Sequence, residues 1–293
     1  VNHSCTPLSL ATQCRSALLI FALLLTGLTT QAQTTRYVSS TGTNTNPASA
    51  TSWATSTTNL QGAIDASGVT QVWVATGIYR PTTVSTNRGA SFAMKNGVAI
   101  YGGFVGTETA LTDRPAINPV SGSPSSSTLS GDIDNNNALS GNSYHVISNP
   151  AGLTTTAVLD GFVITGGNAD GSSFPDNAGG GMYNNGSGSG NVCSPSLTNC
   201  SFQRNTAGFG GAMYNLGSFG GTSSPSLTNC SFQGNTATSG GAMVNFGLEG
   251  GTSSPSLTNC VLFGNGGNNT FVNDNASGAS ATYSLFDNTT NVT

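Results

Sequence analysis

Charge is what this sequence has least of. Only 6% of its 293 residues are Asp, Glu, Lys or Arg, and past residue 32 the single lysine is Lys95. With a formal net charge of −4, it has no basic face to attract nucleic acid or anionic lipid, so nucleic acid is not an expected partner. Long apolar runs are scarce as well. The longest, Ala17–Leu28, is too short to span a bilayer comfortably, so no membrane-spanning segment is expected in the mature chain. The six cysteines include no Cys-x-x-Cys and no Cys/His spacing of a metal site, and no metal or cofactor is expected. Low charge together with 40 glycines is a composition shared with disordered chains. Regularly spaced Leu, Phe and Val argue against disorder, because they make an inward apolar stripe that disordered chains lack.

What is present is repetition. Pro195-Ser-Leu-Thr-Asn-Cys-Ser-Phe-Gln-Arg-Asn205 returns at Pro225–Asn235 and again, diverged, at Pro255–Asn265, which places Cys200, Cys230 and Cys260 30 residues apart. A second phrase lies between the copies: Gly180-Gly-Met-Tyr-Asn184, Gly210-Gly-Ala-Met-Tyr-Asn215 and Gly240-Gly-Ala-Met-Val-Asn245. A fixed period of this length means stacked structural repeats. Each unit is rich in Gly, Ser, Thr and Asn with short alternating runs, so it reads as strands and turns, not helices. Cys200 and Phe202 alternate as a strand requires, but Leu197 to Cys200 is three steps, so a bend must fall between them. Asn199 suits that bend because Asn tolerates the left-handed region, and the diverged segment Leu159–Ile164 carries Gly161 there. The expected fold is all-β, a right-handed parallel β-helix. Like residues should stack coil on coil as Leu197/Leu227/Leu257, Asn199/Asn229/Asn259, Cys200/Cys230/Cys260 and Phe202/Phe232/Leu262.

Three regions follow in chain order. Residues 1–32 read as an export signal, with Arg15 before the apolar run and small residues at Thr30 and Ala32 for cleavage. Residues 33–80 form an N-terminal cap and first coil. There Thr58–Gln61 has the pattern of a capping box, and Leu60, Ala63 and Ile64 make one apolar helical face that should plug the open end of the stack. Residues 81–293 hold the remaining coils, nearly identical over 180–265. Leu129 is expected to head the Leu159/Leu197 ladder, with 170–178 as a surface insertion. Tyr283–Asn288 is expected to match Cys260–Asn265 position by position, and the coils to be incomplete at the C-terminus, as in part of a longer chain. The protein is expected to act as a monomer or as part of that longer chain.

At Gly210–Met213 and Gly240–Met243, alternating with Phe202–Asn205 and Phe232–Asn235, the chain resembles the repeats of chlamydial-type polymorphic outer-membrane proteins. Its N-terminal half, at Tyr37-Val38, Trp53, Leu60–Asp65, Val72–Tyr79, Asn96–Val98 and Tyr101–Glu108, is similar to secreted bacterial right-handed β-helix proteins of the pectate-lyase-like fold. The resemblance implies a secreted or cell-surface protein associated with the outer membrane of a Gram-negative bacterium. It implies an adhesin, a structural stalk or an enzyme with equal force, since this fold hosts all three.

The sequence offers few groups for chemistry. Asp132-Ile-Asp-Asn-Asn136 resembles the start of a calcium loop, but its sixth and twelfth places are Asn137 and Ser143, so a solvated turn is the better reading. The cysteine ladder reads as buried thiols, with a single bridge within it as the alternative. Asp132, Asp160 and His145 are the one constellation that could resemble a hydrolase carboxylate set. The plainer reading is that Asp160 is solvated and His145 packs at the edge of the stack. No catalytic residue is assigned. The expected function is an exported, adhesin-like or structural β-helix module that binds polysaccharide or a neighbouring cell surface, the alternative being a polysaccharide lyase or glycoside hydrolase.

Overall fold

The computed structural model describes residues 33–117, 126–275 and 277–286, and the export signal at 1–32 lies outside them. From Thr34 onward they form one compact unit. One coil shows the plan. Ser196–Thr198 lies in a first sheet, Ser201–Gln203 in a second, Thr206–Phe209 in a third and Met213–Leu216 in a fourth. The four sheets hold eight, seven, three and five strands, and each strand pairs with its counterpart in the next coil. All pairings are parallel, as in Leu197 with Leu227 and Phe202 with Phe232. This is a parallel β-helix.

The bends follow from residue type. Asn199, Asn229 and Asn259 sit at φ 52°, 53° and 58°, and Gly161 takes the same corner at φ 85°, as the three-step spacing requires. The paired glycines have two separate reasons. Gly210 and Gly240 lie at φ 62° and 68°. At Gly211 and Gly241 an added Cβ would fall 2.5 and 2.2 Å from backbone oxygens of the next coil.

Inside, one continuous apolar cluster runs from Val38 to Ala279. Leu197, Leu227 and Leu257 are buried and stack in register as expected. Their ladder extends upstream through Leu159, Ile100 and Val72. Downstream the leucines stop at Leu257, which pairs with the smaller Ala281 of the last coil. Phe202 and Phe232 stack with centroids 5.0 Å apart, and Leu262 follows Phe232 in the same row. The interior also holds asparagines. Asn149, Asn184, Asn215 and Asn245 are buried, and each donates its side-chain N–H to the carbonyl oxygen of the next, ending on Asn273, at 2.8 Å every time. A second row, Asn205, Asn235 and Asn265, passes hydrogen bonds of 3.0 and 2.9 Å along the second corner.

Three expectations are corrected, and a fourth gains a detail. Leu129 belongs to the second sheet, paired with Tyr79 and Ile164, because the early coils vary in length and a 30-residue count lands on the wrong sheet. The last coil is offset by one: Leu285 pairs with Val261 and Phe286 with Leu262. This keeps Phe286 packed against the core and leaves Tyr283 at the bend, with φ 51°. The helix Leu60–Asp65 is capped by Asn59, whose side chain accepts from the Gly62 N–H, and not by a box starting at Thr58. Its apolar face is as expected, with Leu60 and Ile64 joining Ile100, Leu129, Ile147 and Leu159 around one small gap in the core. The insertion at 170–178 is pinned as well as exposed, through an ion pair of Asp170 with Arg88.

Asn215→Leu strands a donor on Asn184 and an acceptor on Asn245, and should cost about 2–4 kcal/mol in urea unfolding. At the bend, Asn229→Gly should be nearly neutral and Asn229→Val should cost about 1–2 kcal/mol, because only Gly and Asn enter the left-handed region cheaply.

Candidate binding surfaces

The residues considered for chemistry do not come together. Asp160 ends a first-sheet strand, pairs with Arg114 at 3.1 Å and accepts from the Asn199 side chain at 3.0 Å. It is therefore half of a partly buried structural ion pair, not a solvated face residue. Arg114 was not predicted as its partner because the two are 46 residues apart. His145 precedes the fourth-sheet strand Ile147–Asn149. Its ring stacks on Tyr183 with centroids 5.4 Å apart, and Nδ1 lies 3.0 Å from the Gly179 carbonyl oxygen, so Nδ1 carries the hydrogen. Asp132 follows the second-sheet strand Ser127–Ser130. It is buried, and its carboxylate accepts from the backbone N–H groups of Asn136 and Asn137. The turn is built on that carboxylate instead of being solvated around it.

The cysteine ladder forms as drawn. Cys193, Cys200, Cys230 and Cys260 are buried free thiols. The three ladder thiols donate to the carbonyls of Thr198, Thr228 and Thr258 at 3.3, 3.4 and 3.4 Å. Burial pushes the Cys193 thiol up to about 12 and raises Cys230 in the same direction, which keeps both protonated and unreactive.

Two of the concave surfaces on the outside combine side chains suited to binding. The first is a polar cleft of about 560 Å³ at the corner between the second and third sheets, with Arg80, Asp132, Asn135, Thr165, Arg204 and Thr236 in its walls. One wall is the 132–142 loop, tied down where Asn168 donates to the Leu139 carbonyl at 3.0 Å and Asn142 to that of Gly166 at 2.6 Å. Arg80 is held by the Asp132 carbonyl and the Asn135 side chain. Arg204 stands at φ 52° where neighbouring coils place Gly166, Gly234 and Gly264.

The second surface is a notch of about 260 Å³ on the outer face of the fourth sheet, walled by Phe174, Phe209, Tyr214 and Phe246, with Val244 and Val272 also lining it. Tyr183, Tyr214 and Phe246 form a loose ring ladder with centroid spacings of 6.1 and 6.4 Å. Burial, and Asp274 near Tyr214, push the Tyr214 phenol up, so its hydroxyl remains a donor. Sequence reasoning missed this face. The signal was the alternation after each Gly-Gly, where Tyr183 and Tyr214 give way to Val244.

No family model, no curated protein and no solved structure matches this chain.

Two outcomes follow from this geometry. In the chain from Gln33 onward, the four thiols should resist Ellman's reagent until denaturant is added and then titrate fully. His145 is held below the ordinary imidazole value by burial, against the opposing pull of the Gly179 carbonyl. As pH falls below about 6.5 the unfolded chain binds a proton that the folded chain refuses, so stability drops with pH in that window. The losses tied to Glu108 and Asp113, whose carboxyls are held low, begin only below about pH 4.5. His145→Gln should therefore flatten Tm between pH 7 and 5.

Proposed function

We propose that this protein is an exported, secreted or surface-displayed β-helix module, adhesin-like in kind, that holds glycan chains through its outward polar face without catalysis of its own. The carrying observation is that face's periodicity. Hydroxyls recur coil by coil in register, with Ser196 and Ser226 Oγ atoms 2.9 Å apart and Thr222 and Thr252 Oγ1 atoms 3.5 Å apart. Strand-to-strand spacing repeats such groups every ~4.8 Å. A surface with a regular repeat engages a polymer with a regular repeat through many weak contacts at once, and their combined avidity exceeds that of any one contact. The tied-down cleft beside Arg80 and Arg204 adds a concave stretch to the outer surface.

Export is supported by the order of Arg15, the apolar run and the small residues before Gln33. The similarity of the repeats to those of polymorphic outer-membrane proteins supports display at the surface. Among the described residues no helix is long and apolar enough to cross a membrane. Engagement of Asp160 by Arg114 and of Asp132 by its own turn supports a binding role over hydrolysis, because neither carboxylate stands free to transfer a proton.

The test is a panel of insoluble polysaccharides scored for retention and for released product together. Retention without release is expected. Product release that disappears in Asp160→Ala would make the protein an enzyme and end this reading.

A further inference from the structure

The notch on the fourth sheet exists because one coil departs from the repeat twice. In adjacent strands Tyr214 pairs with Val244 and Phe209 with Ser239. Two rings of one coil thus face two small side chains of the next. The space they vacate is not refilled by the chain. Phe209 and Phe174 remain 44% and 50% exposed at its edges, although large apolar side chains are usually covered. Its polar groups are of a particular kind. Ser239 and Asp274 line it, and Asn177, also in its wall, has a buried carboxamide oxygen with no hydrogen-bond partner.

We infer that this notch is a binding site for a single pyranose ring of a neutral glycan. The inference rests on the glycan-binding reading above and names where one sugar sits. About 260 Å³ is below the ~300–1,000 Å³ of sites for drug-sized ligands, so one ring fits and an extended ligand does not. The walls and the polar groups then select its chemistry. A pyranose has an apolar C–H face, which suits the aromatic walls, and hydroxyls around its perimeter, which suit acceptors. Asp274 accepts from adjacent hydroxyls, and Ser239 can donate or accept. The unpaired Asn177 oxygen gains a donor. A hydrocarbon or phenyl ring would fill the same volume and leave those acceptors unmatched, at a cost for each desolvated group.

The repeat itself supplies the blocking variant. Val244→Tyr and Ser239→Phe restore residues that the preceding coil carries at the same positions, so they fill the notch with side chains the scaffold already accommodates. Asp274→Ala removes a polar partner at an exposed position. Titration calorimetry and saturation-transfer NMR with cellohexaose and chitohexaose would be run on the chain from Gln33, with melting curves to verify folding. The expected result is binding to the unaltered protein, weakened at least tenfold by Val244→Tyr and several-fold by Asp274→Ala. Equal binding by the unaltered and Val244→Tyr proteins would overturn the notch while leaving glycan binding in place. If the unaltered protein neither binds these oligosaccharides nor is retained by any polysaccharide, the glycan reading and this site fall together.

Discussion

The coils from Ile147 onward depend on the asparagine row Asn149–Asn184–Asn215–Asn245–Asn273, buried in all but its last member. A primary amide has a donor and an acceptor at its tip, and inside an apolar core each must be met. Here the inner amides Asn184, Asn215 and Asn245 each donate up the stack and accept from below at 2.8 Å. Only the same residue at the same height in the next coil satisfies both ends. The row therefore enforces register, and register is what a flat, two-sided strand otherwise specifies poorly. The row holds register while its own steps run 35, 31, 30 and 28 residues, and the stacked leucines, cysteines and phenylalanines of the central coils share that register.

Once register is held, inward and outward positions have different freedoms. An inward change leaves a cavity or a stranded polar group, while an outward change costs little. Inward departures stay apolar, as in Leu262 after Phe232 and Ala281 after Leu257, while outward ones change character and shape the concave surfaces. Arg204 occupies a left-handed corner that other coils give to glycine, and it lines the polar cleft. Val244 and Ser239 stand where the previous coil has Tyr214 and Phe209, and the notch is the result. Conservation of the coil and variation of its outer face are two consequences of one packing rule.

How far the fold could be read in advance depended on local regularity. From Pro195 to Asn265 the copies are so alike that the bend at Asn199 and the inward set Leu197, Cys200 and Phe202 could be placed residue by residue. All are found there, and so are their counterparts up to Leu257, Cys260 and Leu262. Before Leu159 the coils differ in length, and Leu129 was placed in the wrong sheet. At the last coil, two alignments differing by one residue looked alike, and packing of the partly buried Phe286 against the core decided between them. The helix face at Leu60, Ala63 and Ile64 was legible from its spacing, but its cap was not, since Thr58 and Asn59 are both good N-cap residues.

The sequence by itself determined the period, the strand character of each coil, the left-handed corners and the inward ladders. These depend on what a residue type does to its own backbone and on identity between copies, both of which are written in one dimension. The tertiary structure alone decided that Arg114 neutralises Asp160. It also placed Asp132 and His145 apart, and drew Phe174, Tyr214 and Phe246 around one notch. Those contacts join residues tens of positions apart through loops of irregular length, and their geometry is set by how the coils stack and not by any local preference.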